Sequence, residues 1–106
     1  MKNCTPHDIT VGEVTIPRSG IVARVEVSYG LSIERVFGVD VVRRATGNIT
    51  GLPRDEQGHI EPCIVSAMVL AALPAGTRNV YAPDTGDTAI RNEAGHIISV
   101  TRLIAA

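Results

Sequence analysis

The chain has few aromatic residues, few cysteines and almost no lysine. Its 106 residues contain no tryptophan, two tyrosines, one phenylalanine, and a single lysine among ten basic side chains. Three scattered aromatic rings are too few for the stacking surface that binds single-stranded nucleic acid. The net charge of −1 argues against binding of a nucleic-acid duplex, which normally requires an excess of basic residues. We therefore expect that nucleic acid is not a partner.

No apolar run is long enough to cross a bilayer. The longest, at positions 63–73, is interrupted by Ser66. The first eight residues lack the apolar centre of a signal peptide. We therefore expect a cytoplasmic protein with no membrane partner, in which Cys4 and Cys63 are free thiols.

The composition that remains is typical of a small globular domain. Hydrophobic residues make up 44% of the chain and charged residues 20%, which excludes a disordered tail. The length predicts a single domain, 1–106. Because a domain of this size buries only a modest core, self-association would cover more of its surface, and we expect a homo-oligomer.

Short segments with alternating apolar residues, separated by turn residues, predict a mostly-β domain built from hairpins. Segments 9–16 and 21–27 are predicted to pair across a turn at 17–20, with Gly12-Glu13 as a candidate early turn inside the first segment. The remaining predicted elements of this kind are two strand pieces within 31–42, a turn at 47–48, a return strand at 49–52, and a closing hairpin of 90–91 with 97–103.

One region predicts a strand, a helix and a second strand in succession. Residues 62–65 are typical of a buried strand, and 67–73 are rich in alanine, leucine and methionine, which favour a helix. Ser66 is a suitable N-cap, Pro74 ends the helix, and 79–82 predicts the second strand. If the two strands share a sheet, they are parallel and the unit is a right-handed β-α-β-like crossover. The predicted fold class is therefore α+β.

Two segments share the same pattern of residues. Positions 54–60 and 91–97 read Arg-Asp-Glu-Gln-Gly-His-Ile and Arg-Asn-Glu-Ala-Gly-His-Ile and agree at five of seven places. Asp or Asn favours the start of a type I turn, and Gly favours a left-handed position before a returning strand. We predict two copies of one turn and no repeat architecture.

Polar residues follow both predicted parallel strands at the point where each strand ends. Ser66 follows the first strand, and Asp84 and Thr85 follow the second. Because the carboxyl ends of parallel strands meet at one edge, where open α/β sheets bind ligands, we expect these residues to lie close together. The hydroxyls, with the positive end of the helix, would suit a small anionic molecule. The alternative is that Ser66 only caps the helix and Asp84 only forms a turn.

The sequence offers no convincing catalytic set. The triplet Asp84-Thr85-Gly86 resembles the aspartic-protease signature, but only twenty residues follow it, whereas in those proteases most of the fold follows the triplet. Ser66 has no G-x-S-x-G elbow around it, and neither a P-loop nor a dinucleotide-binding glycine motif is present. We assign no catalytic residue.

A zinc site is compatible with the spacing of some residues but is disfavoured. Cys4-x-x-His7 and His59-x-x-x-Cys63 together offer four ligands. The two pairs lie far apart in sequence, and neither is a double-cysteine knuckle. We therefore expect no metal and no other cofactor.

Several short motifs are spread over nearly the whole chain. They are Asn-Cys-Thr-Pro-His at 3–7, Ile-Pro-Arg-Ser-Gly-Ile-Val-Ala-Arg at 16–24, Gly-Leu-Pro at 51–53, Ile-Val-Ser-Ala at 64–67, Pro-Asp-Thr-Gly at 83–86, Gly-His-Ile-Ile at 95–98 and Arg-Leu at 102–103. In these motifs the chain resembles a family of small phage and prophage proteins. The family usually has an apolar residue in place of Cys4, a departure that further weakens the zinc hypothesis. Positions 31–48 carry no part of the pattern.

By class, such proteins resemble the phage proteins that sequester nucleotide immune signals of the host, such as cyclic ADP-ribose isomers. The resemblance implies a non-catalytic binder of an anionic nucleotide-like ligand in the host cytoplasm, with pockets often shared between subunits. A nucleotide-cleaving enzyme with His7 or Asp84 as general base, and a structural or protein-binding phage factor without a pocket, remain alternatives. The residues expected to bind the ligand are Thr5, His7, Arg18, Arg24, Ser66, Asp84, Thr85 and Gly86, with Arg91 and Arg102 as substitutes for the first two arginines.

Overall fold

The computed structural model describes residues 1–106 as short strands around one short helix. The prediction of a small, mostly-β domain with a single short helix is confirmed. The helix is too short to cross a membrane. The elements in chain order are β1 (Lys2–Asn3), β2 (Ile9–Val11), β3 (Val14–Ile16), β4 (Arg24–Tyr29), β5 (Glu34–Val36), β6 (Val39–Val41), β7 (Arg44–Thr50), β8 (Cys63–Ile64), α1 (Ala67–Ala72), β9 (Val80–Pro83), β10 (Ile90–Arg91), β11 (Ile97–Ser99) and β12 (Leu103–Ala105).

A four-stranded sheet with the order β1-β8-β9-β12 forms the centre of the molecule. Strands β1, β8 and β9 run parallel, and β12 pairs antiparallel with β9. The apolar run that begins at Cys63 suits the middle of this sheet, because a strand covered on both faces needs apolar side chains on both. Ile64, Val65 and Val80 are accordingly fully buried.

Helix α1 lies in the chain between the parallel neighbours β8 and β9 and begins as the sequence predicts. The backbone N–H of Val69 donates to the hydroxyl of Ser66 at 3.3 Å, which satisfies one of the unpaired donors of the first turn. Val69 faces the core, and Leu73 closes the helix immediately before Pro74.

The predicted pairing of segment 9–16 with 21–27 is wrong. Segment 9–16 turns back on itself, so that β2 pairs with β3, and β4 pairs instead with β7. Positions 47–48, predicted as a turn, lie within β7. They form a bulge there, in which two residues of β7 oppose the single residue between Val25 and Val27 of β4. Gly47 lies close to the Glu26 side chain, and a Cβ at this position would displace the end of that exposed carboxylate.

The two similar segments form the same turn, as predicted. The Asp55 carboxylate accepts from the backbone N–H groups of Gln57 and His59, and the Asn92 side chain accepts from the equivalent Ala94 and His96. In each copy the arginine donates to the carbonyl of the glycine four residues on. Both glycines have φ near +84°, the left-handed conformation that the turn requires.

Cys63 on β8 and Cys4, which directly follows the neighbouring β1, are buried free thiols. Burial, reinforced by Cys4, raises the pKa of Cys63 to about 11. We expect both thiols of the folded protein to resist iodoacetamide at pH 8, where alkylation requires an accessible thiolate. Cysteine introduced at the exposed Ala94 is the positive control.

The same pKa predicts how stability changes with pH. Below pH 9 the Cys63 thiol is protonated in both states; between pH 9 and about 11 only the unfolded chain loses the proton. Stability should therefore fall as pH rises through this window.

For the alkylation experiment at pH 8, rapid reaction of both thiols in the folded protein would contradict their burial.

Candidate functional site

A cleft of about 420 Å³ opens where four segments of the chain meet. We call it the hydroxyl cleft, because serine and threonine side chains alternate with apolar ones along its walls. It is lined by Thr5, Pro6, His7, Asp8, Ile9, Thr10, Ser66, Ala67, Pro83, Thr85, Ile97, Ile98, Ser99 and Val100.

The parallel pairing of β8 with β9 explains why Ser66 and Thr85 reach the same cleft. Ile64 is aligned with Tyr81, so the two strands end at the same edge of the sheet. Ser66 follows β8 directly, and Thr85 lies two residues beyond the end of β9. This is the edge at which the sequence predicted a ligand site.

Asn3 holds the loop that forms the opposite wall of the cleft. Its side chain is 1% exposed and uses all four of its hydrogen-bonding positions. Nδ2 donates to the carbonyls of His7 and Ile16 at 2.8 and 2.9 Å, and Oδ1 accepts from the backbone N–H and the hydroxyl of Thr5. Asn3 was not among the site residues predicted from the sequence, although it is the first residue of the Asn-Cys-Thr-Pro-His motif.

Thr5 and His7 differ in how freely they can meet a ligand. The Thr5 hydroxyl lies 2.7 Å from Asn3 Oδ1 and 2.9 Å from the His7 carbonyl, so its proton is already used in hydrogen bonding within the loop. The exposed imidazole of His7 makes no hydrogen bond. Of these two predicted residues, His7 is therefore the one whose side chain is available at the cleft.

Asp84 faces away from the hydroxyl cleft, although its neighbours Pro83 and Thr85 line it. Its carboxylate accepts from Arg102 Nε at 2.6 Å, from the Gly86 N–H at 3.0 Å, and from the Thr88 hydroxyl at 3.4 Å. The hydrogen bond from Arg102, then that from Gly86, lowers the pKa of Asp84, whose side chain is only 13% exposed. A carboxylate held in this way is a poor proton acceptor at neutral pH.

Asp84, Thr85 and Gly86 also line a second cavity, of about 440 Å³, between α1 and β12. Its walls are mostly alanine, leucine and isoleucine side chains. Thr85 is thus shared by the two cavities, and Gly86 belongs only to the second.

The arginines selected from the sequence do not line the hydroxyl cleft. The backbone N–H of Arg18 donates to the Asp8 carboxylate, and Arg24 lines a smaller cavity of about 230 Å³ that shares Thr5 and Ser66. Arg91 does contact a cleft residue, since its Nη2 donates to the Thr85 carbonyl at 3.3 Å. Arg91, named above as an alternative to Arg18 and Arg24, is therefore the arginine that best matches the predicted phosphate contact.

The residues of the zinc hypothesis do not assemble into one site. Cys4 and Cys63 meet in the core, whereas His7 and His59 are exposed. No group of three or more histidine, cysteine, aspartate or glutamate side chains has the geometry to hold a metal ion. His59 Nδ1 lies 3.7 Å from the Asp55 carboxylate, and both residues belong to the first of the two similar turns.

Comparison with known proteins returns no significant match to a family model, a curated protein or a solved structure. The assignment of function therefore depends on the chemistry of the cleft itself. That chemistry combines hydroxyl groups, apolar walls, one free imidazole, the Asp8 carboxylate and one nearby guanidinium group.

Proposed function

We propose that this protein binds and sequesters a small nucleotide-like ligand in the hydroxyl cleft, without converting it. The observation that supports the proposal is the convergence of Ser66, Thr85 and the loop held by Asn3 on one concave site. In this view β8, α1 and β9 act as a compact β-α-β crossover that presents its ligand edge to the loop. The phage origin and the host cytoplasm implied by the resemblance belong to the same proposal.

The size and lining of the cleft suit a nucleotide-like molecule. About 420 Å³ lies within the range of 300–1,000 Å³ that is usual for small-molecule sites. Ile97 and Ile98 offer apolar surface to a flat base, while Ser66 and Thr85 offer hydroxyls to a ribose. Arg91, which donates to the Thr85 carbonyl beside the cleft, is our candidate for the phosphate contact.

Binding without conversion is favoured because no proton acceptor is prepared for catalysis. The ion pair with Arg102 occupies Asp84, and no side chain orients the imidazole of His7. Catalytic bases are normally oriented by a partner and held within reach of a nucleophile or water. These observations count against the alternative of a nucleotide-cleaving enzyme.

The test is recovery of the ligand from the intact protein. The protein is incubated separately with cyclic ADP-ribose and with 3′,5′-cyclic AMP, desalted and heated, and the released molecule is identified by mass spectrometry. We expect at least one of the two nucleotides to be retained and released unchanged. An altered molecule would show an enzyme, and release of neither would contradict the proposed ligand class.

A matched pair of variants tests the site. Ile98→Glu places a charge on the cleft wall and should lower retention at least tenfold, because it blocks the cleft and repels an anion. Val14→Glu makes the same change at an exposed position outside the cleft and should leave retention unchanged. Substitutions of Ser66 or Asp84 are less suitable, because Ser66 also caps α1 and Asp84 also holds its own loop through the Gly86 N–H. Equal retention by both variants would remove the site assignment.

A further inference from the structure

A hairpin extension of residues 29–42, which we call the arm, exposes an unusual number of apolar side chains. It contains β5 and β6, which pair only with each other. Phe37 at its tip is fully exposed and Leu31 is 91% exposed. The arm carries nearly half of the large exposed hydrophobic residues of the molecule, namely Tyr29, Leu31, Ile33, Val36, Phe37, Val39 and Val42.

The molecule exposes more surface than a monomer of its mass should. Its accessible area is 7453 Å², whereas a folded monomer of 11.2 kDa is expected to expose about 5,700 Å². Its radius of gyration is 16.3 Å, against about 13 Å for a compact domain of this length. The excess of about 1,700 Å² exceeds the roughly 800 Å² per partner that a standard interface buries.

The geometry points to a second copy of this chain as the partner that covers the arm. A two-stranded ribbon leaves both outer strand edges unpaired, and a second ribbon can pair with them while covering their apolar side chains. The arm carries one arginine against two acidic residues, so it offers no basic surface to an anionic membrane. Arg35 and Asp40 also lie 3.7 Å apart, so the arm's charge is partly neutralised within the ribbon. This inference is independent of the proposed ligand.

The experiment measures the mass of the full chain by light scattering after size exclusion. Wild-type protein should have at least twice the 11.2 kDa of the monomer. The double variant Leu31→Asp with Phe37→Asp should fall to the monomer mass, and Val14→Asp, a change at an exposed apolar residue outside the arm, should keep the wild-type mass. Resistance of Cys4 and Cys63 to alkylation shows that the double variant remains folded.

Several results would overturn the inference. They are a monomeric wild-type protein at every concentration tested, an arm variant that keeps the wild-type mass, and a monomer that instead binds vesicles or another protein through the arm. If the double variant does not fold, Phe37→Ser at the tip replaces it. This variant should raise the dissociation constant of self-association at least tenfold, and an unchanged constant would equally count against the arm.

Discussion

Asn3→Ala is expected to lower the free energy of unfolding by about 4 kcal/mol, because four hydrogen bonds of a buried amide contribute about 1 kcal/mol each. The substitution removes one donor each from the carbonyls of His7 and Ile16 and removes the acceptor of the Thr5 N–H and hydroxyl. Urea unfolding followed by circular dichroism measures the loss. The loop that Asn3 holds also forms a wall of the hydroxyl cleft, so ligand retention should fall with stability.

Asn48→Ala is the matched control for this prediction. Asn48 is exposed and its side chain makes no hydrogen bond, while its backbone N–H donates to the Glu26 carboxylate at 3.4 Å. We expect a change within about 0.5 kcal/mol, as for ordinary surface substitutions. If the two variants unfold at the same urea concentration, the network around Asn3 does not stabilise the fold as described.

Gly51→Ala is expected to destabilise the protein by about 3 kcal/mol for two separate reasons. Gly51 has φ of +83°, which a residue with a Cβ adopts only at a cost. The added Cβ would also lie 2.4 Å from the Val22 carbonyl, so the backbone beside the buried Ala23 must move. Thermal unfolding should show a lower midpoint than in the wild-type protein.

Gly58→Ala separates the two reasons. Gly58 has nearly the same φ, +84°, but a Cβ there meets nothing within 4 Å. It should therefore cost only the conformational strain, about 1 kcal/mol. The difference between the two variants measures the steric conflict at Gly51. If their midpoints coincide, the close approach to Val22 relaxes without a measurable penalty.

Local chemistry explains which parts of the fold could be predicted from the sequence. The cap at Ser66, the end of the helix at Pro74 and the turn opened by Asp55 each depend on residues within a few positions. The hydrogen bonds that define them form within the same short segment. Their residue types therefore suffice to predict them.

Pairing between distant strands could not be predicted in the same way. Strand β4 has an alternating pattern that suits either β3 or β7 as its neighbour. The choice is made by the hairpin turn at Gly12, which gives β3 another partner, and by the bulge at Gly47. Neither feature has a signature that fixes the register of a strand twenty residues away.

At the candidate site, the sequence predicted the position but not the direction of the side chains. Parallel strands bring Ser66 and Thr85 to one edge, which follows from topology alone. Whether the Asp84 carboxylate lines the hydroxyl cleft depends on Arg102, which lies on the segment that leads into β12. Asp84 directly follows β9 and Arg102 directly precedes β12. Because the contact joins residues that are distant in sequence, it has no local sequence signal.

The central sheet takes its two outer strands from opposite ends of the sequence, β1 at positions 2–3 and β12 at 103–105. During folding, one edge of β9 therefore stays unpaired until residues 103–105 join it. Pairing of position 2 with position 63 also closes a long loop, which makes late and comparatively slow assembly the natural order of events. Partly folded chains in which β12 has not yet paired should accordingly be the ones most prone to aggregate, through the open edge of β9.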